Sequence, residues 1–239
     1  MKRKILLSLI IPVTITMISF MIPINKEAPA LHYLVRKPKV EATHPPLIIL
    51  LHGVGSNEQN MFSMANSLPD KYLVVSARGP LTLGPNSFAW FQVDFSSGKP
   101  VIIKEQAEQA RISLIRFIDD LKKVEQFNDQ EVFLMGFSQG GIMSYSVALT
   151  EPEKIKGIAV MSGRLLPEIQ PLVVSEERLK PLKIFVSHGT NDRVLQFQYA
   201  LDAVEYLKTK GLHPDFHQYN EDHTINTQML NDVIEWLNK

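Results

Sequence analysis

Six consecutive residues of this chain have the types and order to present a nucleophile: Gly136, Phe137, Ser138, Gln139, Gly140 and Gly141. A serine hydroxyl is a weak nucleophile at neutral pH. It attacks a carbonyl efficiently only when a base takes its proton, a third group orients that base, and donors await the developing oxyanion. The largely apolar run Glu131 to Met135 before the motif reads as a buried strand, and Ile142 to Leu149 after it reads as a helix. A strand that turns this sharply into a helix holds its serine strained and clear of the sheet, beside a helix N-terminus that favours negative charge. Side chains two residues before or after the serine would collide with strand or helix, which accounts for Gly136 and Gly140. The competing reading is an ordinary serine in a glycine-rich turn; the flanking strand and helix argue against it.

The base must lie downstream, at the same sheet edge. Three histidines follow with enough chain between: His213, His217 and His223. His213 and His217 fall within the strand-like run His213 to Tyr219 and read as packed or surface residues. His223 follows that run and precedes the last helix, so a loop carries it to the edge where the serine emerges. The acid is expected after an earlier strand. Leu182 to Ser187 is followed by His188-Gly-Thr-Asn-Asp192-Arg193-Val194, which puts Asp192 in a loop at that edge, although Asn191-Asp192 also suits a turn. Asp222 competes for the role. Adjacent residues rarely aim their side chains at each other, so Asp192 is preferred.

One oxyanion donor would be the backbone N–H of Gln139, just after the nucleophile. The other would come from the loop after an earlier central strand, Leu50-Leu51-His52-Gly53-Val54-Gly55, where the glycines let Val54 N–H turn toward the site. That loop is a poor phosphate cradle, because Glu58 stands where a third glycine would be needed and no Gly-Lys-Ser/Thr follows. His52 has no partner at metal-ligand spacing and reads as structural, and no cofactor or metal is implied.

The elements that must position these groups alternate. Strand-like runs at Leu31 to Val35, Leu47 to Leu51, Tyr72 to Ser76, Gly157 to Met161, Leu182 to Ser187 and His213 to Tyr219 are interleaved with helical patterns. The helical patterns are Ser56 to Leu68, with Ser56 and Gln59 at capping-box spacing, Glu105 to Val124, Phe197 to Lys208 and Thr224 to Leu237. The longest of them carries Ala107, Ala110, Leu114, Phe117, Ile118 and Leu121 on one face. This order predicts an α/β fold, a mostly parallel central sheet with helices on both faces. No insertion is long enough for a cap domain, and residues 78–103 form the longest irregular stretch.

Composition narrows the classes. The chain has 239 residues, 45% apolar and 21% charged, with formal net charge zero, so nothing points to nucleic acid. It has no cysteine, which excludes disulfides, thiolate metal sites and a cysteine nucleophile. The first thirty residues differ from the rest. Lys2-Arg3-Lys4 precedes Ile5 to Pro23, which carry no charge, the pattern of an export signal. As a helix that stretch would span about 28 Å, long enough for a membrane anchor as well. Ala28-Pro-Ala30 offers a weak cleavage pattern. The expectation is a segment 1–30 that exports or tethers a catalytic domain 31–239, associating with the membrane through residues 5–23. A start at Met17 or Met21 would instead leave the protein cytoplasmic.

The separated motifs Leu51-His-Gly-Val-Gly-Ser-Asn-Glu58, Gly136-Phe-Ser-Gln-Gly-Gly141, Ser162-Gly163, His188-Gly-Thr-Asn-Asp192 and His223 resemble, in this order, the small carboxylesterase, lysophospholipase and acyl-protein-thioesterase family of α/β-hydrolases. The resemblance runs from about residue 31 to the end. It implies a capless hydrolase with Ser138, Asp192 and His223 as triad, and Val54 and Gln139 as oxyanion donors. The expected activity is cleavage of small-molecule carboxylic esters or thioesters, short to medium acyl chains favoured. Phe88-Ala-Trp90-Phe91 corresponds to a loop that lines the acyl site in the family, so Trp90 and Phe91 are candidate substrate contacts; a buried aromatic cluster is the equal alternative. Leu165 and Leu166 are weaker candidates. Two features depart from the family: Asp222 stands where a glycine usually precedes the histidine, and the apolar N-terminus is unlike its typically cytosolic members. A lysophospholipase or peptidase is an alternative within the class. A non-catalytic binder that keeps the pocket is an alternative outside it, but such proteins often lose a triad member, and here all three are present in order.

Overall fold

In the computed structural model, which describes residues 29–94, 96 and 100–239, the strands lie in the order their apolar runs require. In chain order the elements are β1 (Tyr33–Arg36), β2 (Leu47–Leu51), α1 (Glu58–Phe62), β3 (Leu73–Ala77), β4 (Leu81–Gly84), β5 (Ser87–Ala89), β6 (Val93–Asp94) and β7 (Val101–Ile102). Then come α2 (Lys104–Val124), β8 (Val132–Phe137), α3 (Gln139–Ala148), β9 (Gly157–Met161), α4 (Glu176–Leu179), β10 (Lys183–Gly189), α5 (Gln198–Thr209), β11 (Asp215–Tyr219) and α6 (Thr227–Leu237). Residues 1–28, which hold the whole uncharged stretch Ile5 to Pro23, lie outside the described residues. Among the described residues no helix is long and apolar enough to cross a membrane.

Seven strands form one sheet in the order β1-β3-β2-β8-β9-β10-β11. Only β1 runs antiparallel; every other neighbouring pair is parallel. The apolar runs are continuous because both faces are covered. Alternate residues feed two cores. Leu47, Ile49, Leu51, Leu134, Ile158 and Val160 pack with the buried faces of α2, α3 and α5. Ile48, Leu50, Phe133, Met135, Ala159 and Met161 pack on the other side with Met61, Val233 and Trp236. The apolar stripe of α2 faces the first core as its spacing predicts. Helix α3 is buried on every side, so it shows no amphipathic pattern.

The topology itself selects the site. From β2 the chain first steps outward to β3, then returns to the other side of β2 to place β8 and continues away through β9, β10 and β11. The direction of winding therefore reverses between β2 and β8. Loops leaving the carboxyl ends of two such strands diverge to opposite faces and leave a crevice. The loop after β2 carries His52 to Gly55, and the turn after β8 carries Ser138.

Several local expectations are corrected. Ser56 to Leu68 is not one helix: α1 is a short helix, and a separate 3-10 turn spans Ala65–Ser67. Its N-cap is Asn57, whose Oδ1 accepts from Asn60 N–H at 2.9 Å. Ser56 is drawn away by a backbone bridge to Phe88, so the Ser56/Gln59 spacing is not a capping box. Residues 78–103 are not merely irregular: β4 pairs with β5 and β6 with β7 in two small hairpins. The opening strand begins at Tyr33 rather than Leu31, helix α3 begins at Gln139 rather than Ile142, and β11 begins at Asp215, leaving His213 outside it.

Candidate active site

Strand β8 ends at Phe137 and helix α3 begins at Gln139, so a single residue makes the turn. That residue is Ser138, with φ 53° and ψ −115°. A positive φ is costly for a residue with a Cβ and persists only where its surroundings enforce it. The enforcement is visible at the two glycines. A Cβ on Gly136 would stand 2.3 Å from the backbone of Gly140, and one on Gly140 would stand 2.0 Å from Leu51 O on the neighbouring strand. Helix α3 is thus seated against β2 and β8 more closely than any side chain would permit.

Ser138 lines a narrow cleft together with Val54 and Gln139. Phe91, Val93, Ile102, Ile142, Val194 and Leu195 give it apolar walls. Among the described residues, neither Val54 N–H nor Gln139 N–H donates to a protein acceptor, while the next donors along the first loop, Gly55 N–H and Ser56 N–H, are used by Phe88 O and Gly53 O. Two free backbone donors therefore border the cleft beside the serine, as binding of an oxyanion requires.

The carboxylate and the imidazole meet. His223 Nδ1 lies 2.7 Å from Asp192 Oδ2. The other oxygen, Oδ1, accepts from Val194 N–H at 2.9 Å and Leu195 N–H at 2.8 Å. A second histidine, His188, is fully buried, with Nε2 at 3.3 Å from Asp192 Oδ2 and 2.7 Å from Leu195 O. Burial by itself would push the Asp192 carboxyl up, but the hydrogen bonds from His188, His223 and Leu195 outweigh it and hold it well below the usual carboxylate range. Asp192 is thus a carboxylate throughout the range in which a histidine titrates. The His223 ring lies against Phe137, centroids 4.8 Å apart, one residue before Ser138. No hydrogen bond joins Ser138 Oγ to the imidazole among the described residues.

The other two histidines lie elsewhere. His213 is exposed ahead of β11, and His217 stacks on Phe185 at 4.8 Å while its Nε2 contacts Asp215. Because β11 runs parallel to β10, its carboxyl end is Tyr219, so only a histidine beyond that residue shares the edge with Ser138. His52 is buried and structural. Its Nε2 accepts from Gly79 N–H at 2.9 Å and its Nδ1–H donates to Gly53 O at 2.7 Å, and burial lowers its pKa, so the ring is neutral.

Asp222 has a partner of its own. Its Oδ1 accepts from Arg193 N–H and His223 N–H, and its Oδ2 pairs with the Arg193 guanidinium. Chiefly through that Arg193 contact its pKa is held down to about 2. The departure from glycine therefore ties the loop of Asp192 to the loop of His223, and among the described residues no hydrogen bond joins the Asp222 carboxylate to the imidazole nitrogens. Asp222→Asn keeps the backbone acceptor and loses only an exposed ion pair. It is expected to lower kcat by less than about tenfold, measured on any ester the wild type hydrolyses.

Sequence spacing does not disclose the contacts that hold the aromatic segment. The Gln139 side chain accepts from Trp90 N–H and donates to Phe91 O, both at 2.7 Å, clamping the aromatic segment to the start of α3. Trp90 is fully buried, and its Nε1–H donates to His52 O at 2.9 Å. Of the two alternatives for this segment, Trp90 fits the buried cluster and Phe91 lines the cleft; Leu165 lines an adjoining groove instead. Trp90→Ala is expected to cost about 3–5 kcal/mol of stability. The check is a melting curve: an unchanged transition with selective loss of long-chain substrates would return Trp90 to the acyl site.

Comparison with known proteins gives the family. A model of the phospholipase/carboxylesterase family matches residues 32–239. The chain belongs to that family. It is 29% identical to carboxylesterase SOBER1 of Arabidopsis thaliana over 205 residues, 80% of this chain and 89% of that one. It is 27% identical to acyl-protein thioesterase 1 of Cryptococcus neoformans over 192 residues, 76% of this chain and 79% of the relative. Its fold superposes on the crystal structure of esterase PE8 with a TM-score of 0.72 at 25% identity, covering 87% of this chain and 98% of that one. The phospholipase/carboxylesterase family and these relatives make the chain an α/β-hydrolase, a serine hydrolase acting on esters or thioesters.

Proposed function

We propose that the enzyme hydrolyses carboxylic esters or thioesters through an acyl-enzyme on Ser138, with His223 as base and Asp192 as its orienting acid. The observation that carries this reading is the 2.7 Å contact between His223 Nδ1 and the buried Asp192 carboxylate, beside a strained serine flanked by two unused backbone N–H donors. With Nδ1–H donated to Asp192, the imidazole keeps its Nε2 lone pair as the proton acceptor. The Ser138–His223 contact closes as substrate enters, a tightening common to such sites. Ser138 Oγ attacks the acyl carbon while its proton passes to Nε2. The carbonyl π electrons move to oxygen, and Val54 and Gln139 N–H groups hold that charge. Collapse of the intermediate expels the alcohol or thiol, which takes the proton from Nε2. Water then attacks the ester on Ser138 with His223 again as base.

A narrow cleft walled by apolar residues supports short to medium acyl chains. Each methylene that finds a wall adds about 0.8 kcal/mol. A panel of 4-nitrophenyl esters and acyl thioesters of increasing length is expected to give a kcat/KM that rises and then levels or falls. No turnover of any member would defeat the reading.

The apolar N-terminal segment supports a second element of the proposal, that the catalytic domain works outside the cytoplasmic membrane, released or tethered. Fractionation of cells expressing the full chain is expected to find the activity there. Activity confined to the cytosol would remove this element and leave the chemistry untouched.

A further inference from the structure

Seven arginines lie among the described residues, and six of them have protein partners. Arg78, Arg111, Arg116, Arg178 and Arg193 each pair with a carboxylate. Arg36 donates to the carbonyls of Lys37, Leu68 and Pro69. Arg164 alone, among the described residues, has neither an ion pair nor a hydrogen bond to protein. Its nearest defined contact is the ring of Tyr199, 5.5 Å from the guanidinium carbon. Glu168 and Tyr199 favour its charge from a distance, but Glu168 is engaged by Lys104 at 3.7 Å. Asp202, on the adjoining groove, accepts from Gln198.

The position of Arg164 is as informative as its isolation. It follows Ser162-Gly163 at the carboxyl end of β9, the neighbour of β8, and it is the one charged side chain lining the Ser138 cleft among the described residues. It also lines the adjoining groove with Leu165, Tyr199 and Tyr206. It is half-buried, and burial lowers its pKa, although a guanidinium remains charged at any physiological pH. A charge that gives up water without gaining a counter-ion is a cost to the folded protein. The cost is offset if the counter-ion arrives with the substrate. A planar fork of N–H donors suits a carboxylate in particular.

Resting on the proposed esterase reading, the geometry points to a substrate that carries a carboxylate of its own, bound by Arg164 while Ser138 attacks the ester. The carboxylate can sit on the acyl chain or on the leaving group, and two substrate pairs separate these sources. On the acyl side, 4-nitrophenyl hydrogen glutarate is compared with its neutral isostere, 4-nitrophenyl 5-methylhexanoate, together with the succinate and adipate homologues. On the leaving-group side, 4-acetoxybenzoate is compared with its methyl ester. The full-length enzyme is expected to favour the anionic member of at least one pair in kcat/KM by roughly 10- to 100-fold. Arg164→Gln should erase that ratio, and Arg164→Lys should keep part of it. Labelling of the same proteins by a fluorophosphonate, and their melting curves, report the nucleophile and the fold separately. An enzyme that labels and folds but prefers neither anion, or keeps its preference in Arg164→Gln, overturns this inference alone. A wild-type chain that folds but does not label overturns the esterase reading and this one with it.

Discussion

Ser138→Ala is expected to abolish covalent acylation and to cut ester hydrolysis by about 10⁴- to 10⁶-fold, with a melting temperature close to that of the wild type. The size of the effect follows from the division of labour in the site. The two backbone donors and the apolar walls remain, so substrate still binds and its carbonyl is still polarised, but no oxygen is left to form the acyl-enzyme. Stability should survive because the hydroxyl makes no hydrogen bond to protein among the described residues, and the strained backbone is enforced by packing around Gly136 and Gly140 rather than by Oγ. Activity within tenfold of the wild type would rule out Ser138 as nucleophile.

Asp192→Asn is expected to lower kcat by roughly 10⁴-fold. The reasoning is one of hydrogen-bond direction. Asp192 Oδ1 is committed to two backbone N–H groups, and Oδ2 faces His223 Nδ1 with His188 Nε2 beside it. An asparagine must keep its oxygen on the two backbone donors, which turns its NH₂ toward both rings. His223 would then be driven to the tautomer that accepts at Nδ1 and carries its proton on Nε2, where it cannot serve as base. His188 Nε2–H would keep Leu195 O but exchange its longer contact with the carboxylate for an amide NH₂, so some loss of stability should accompany the loss of rate. A larger kcat effect from Asp222→Asn than from Asp192→Asn would reverse the assignment of the acid.

What the sequence makes legible follows from which constraints are local. The turn at Ser138 is local: strand, glycine, serine, glycine and helix are contiguous, and their sterics force one geometry. His223 and Asp192 are readable because each follows a strand-like run, and parallel strands deliver their trailing loops to one edge. The continuous apolar runs of β2 and β9 disclose a sheet covered on both faces. Other features depend on distant partners. The Gln139 side chain clamps Trp90 and Phe91 from some 50 positions away, which no spacing reveals. The same clamp buries Trp90, although its neighbour Phe91 reaches the cleft. Ser56 matches a capping pattern, but its bridge to Phe88 gives the cap to Asn57. Helix α3 starts three residues before its apolar run because Gln139, Gly140 and Gly141 are buried by close packing rather than by hydrophobicity. Arg164 is one arginine among eight in the sequence, and its place on the Ser138 cleft and its lack of a partner among the described residues emerge only with the tertiary fold.

The central claim, a covalent intermediate on Ser138, is tested most directly by mass spectrometry of the full chain after reaction with a fluorophosphonate. One adduct per chain is predicted, on the peptide that contains Ser138, with slower labelling in Asp192→Asn. A folded chain that takes up no adduct, or carries it on another residue, would contradict the account.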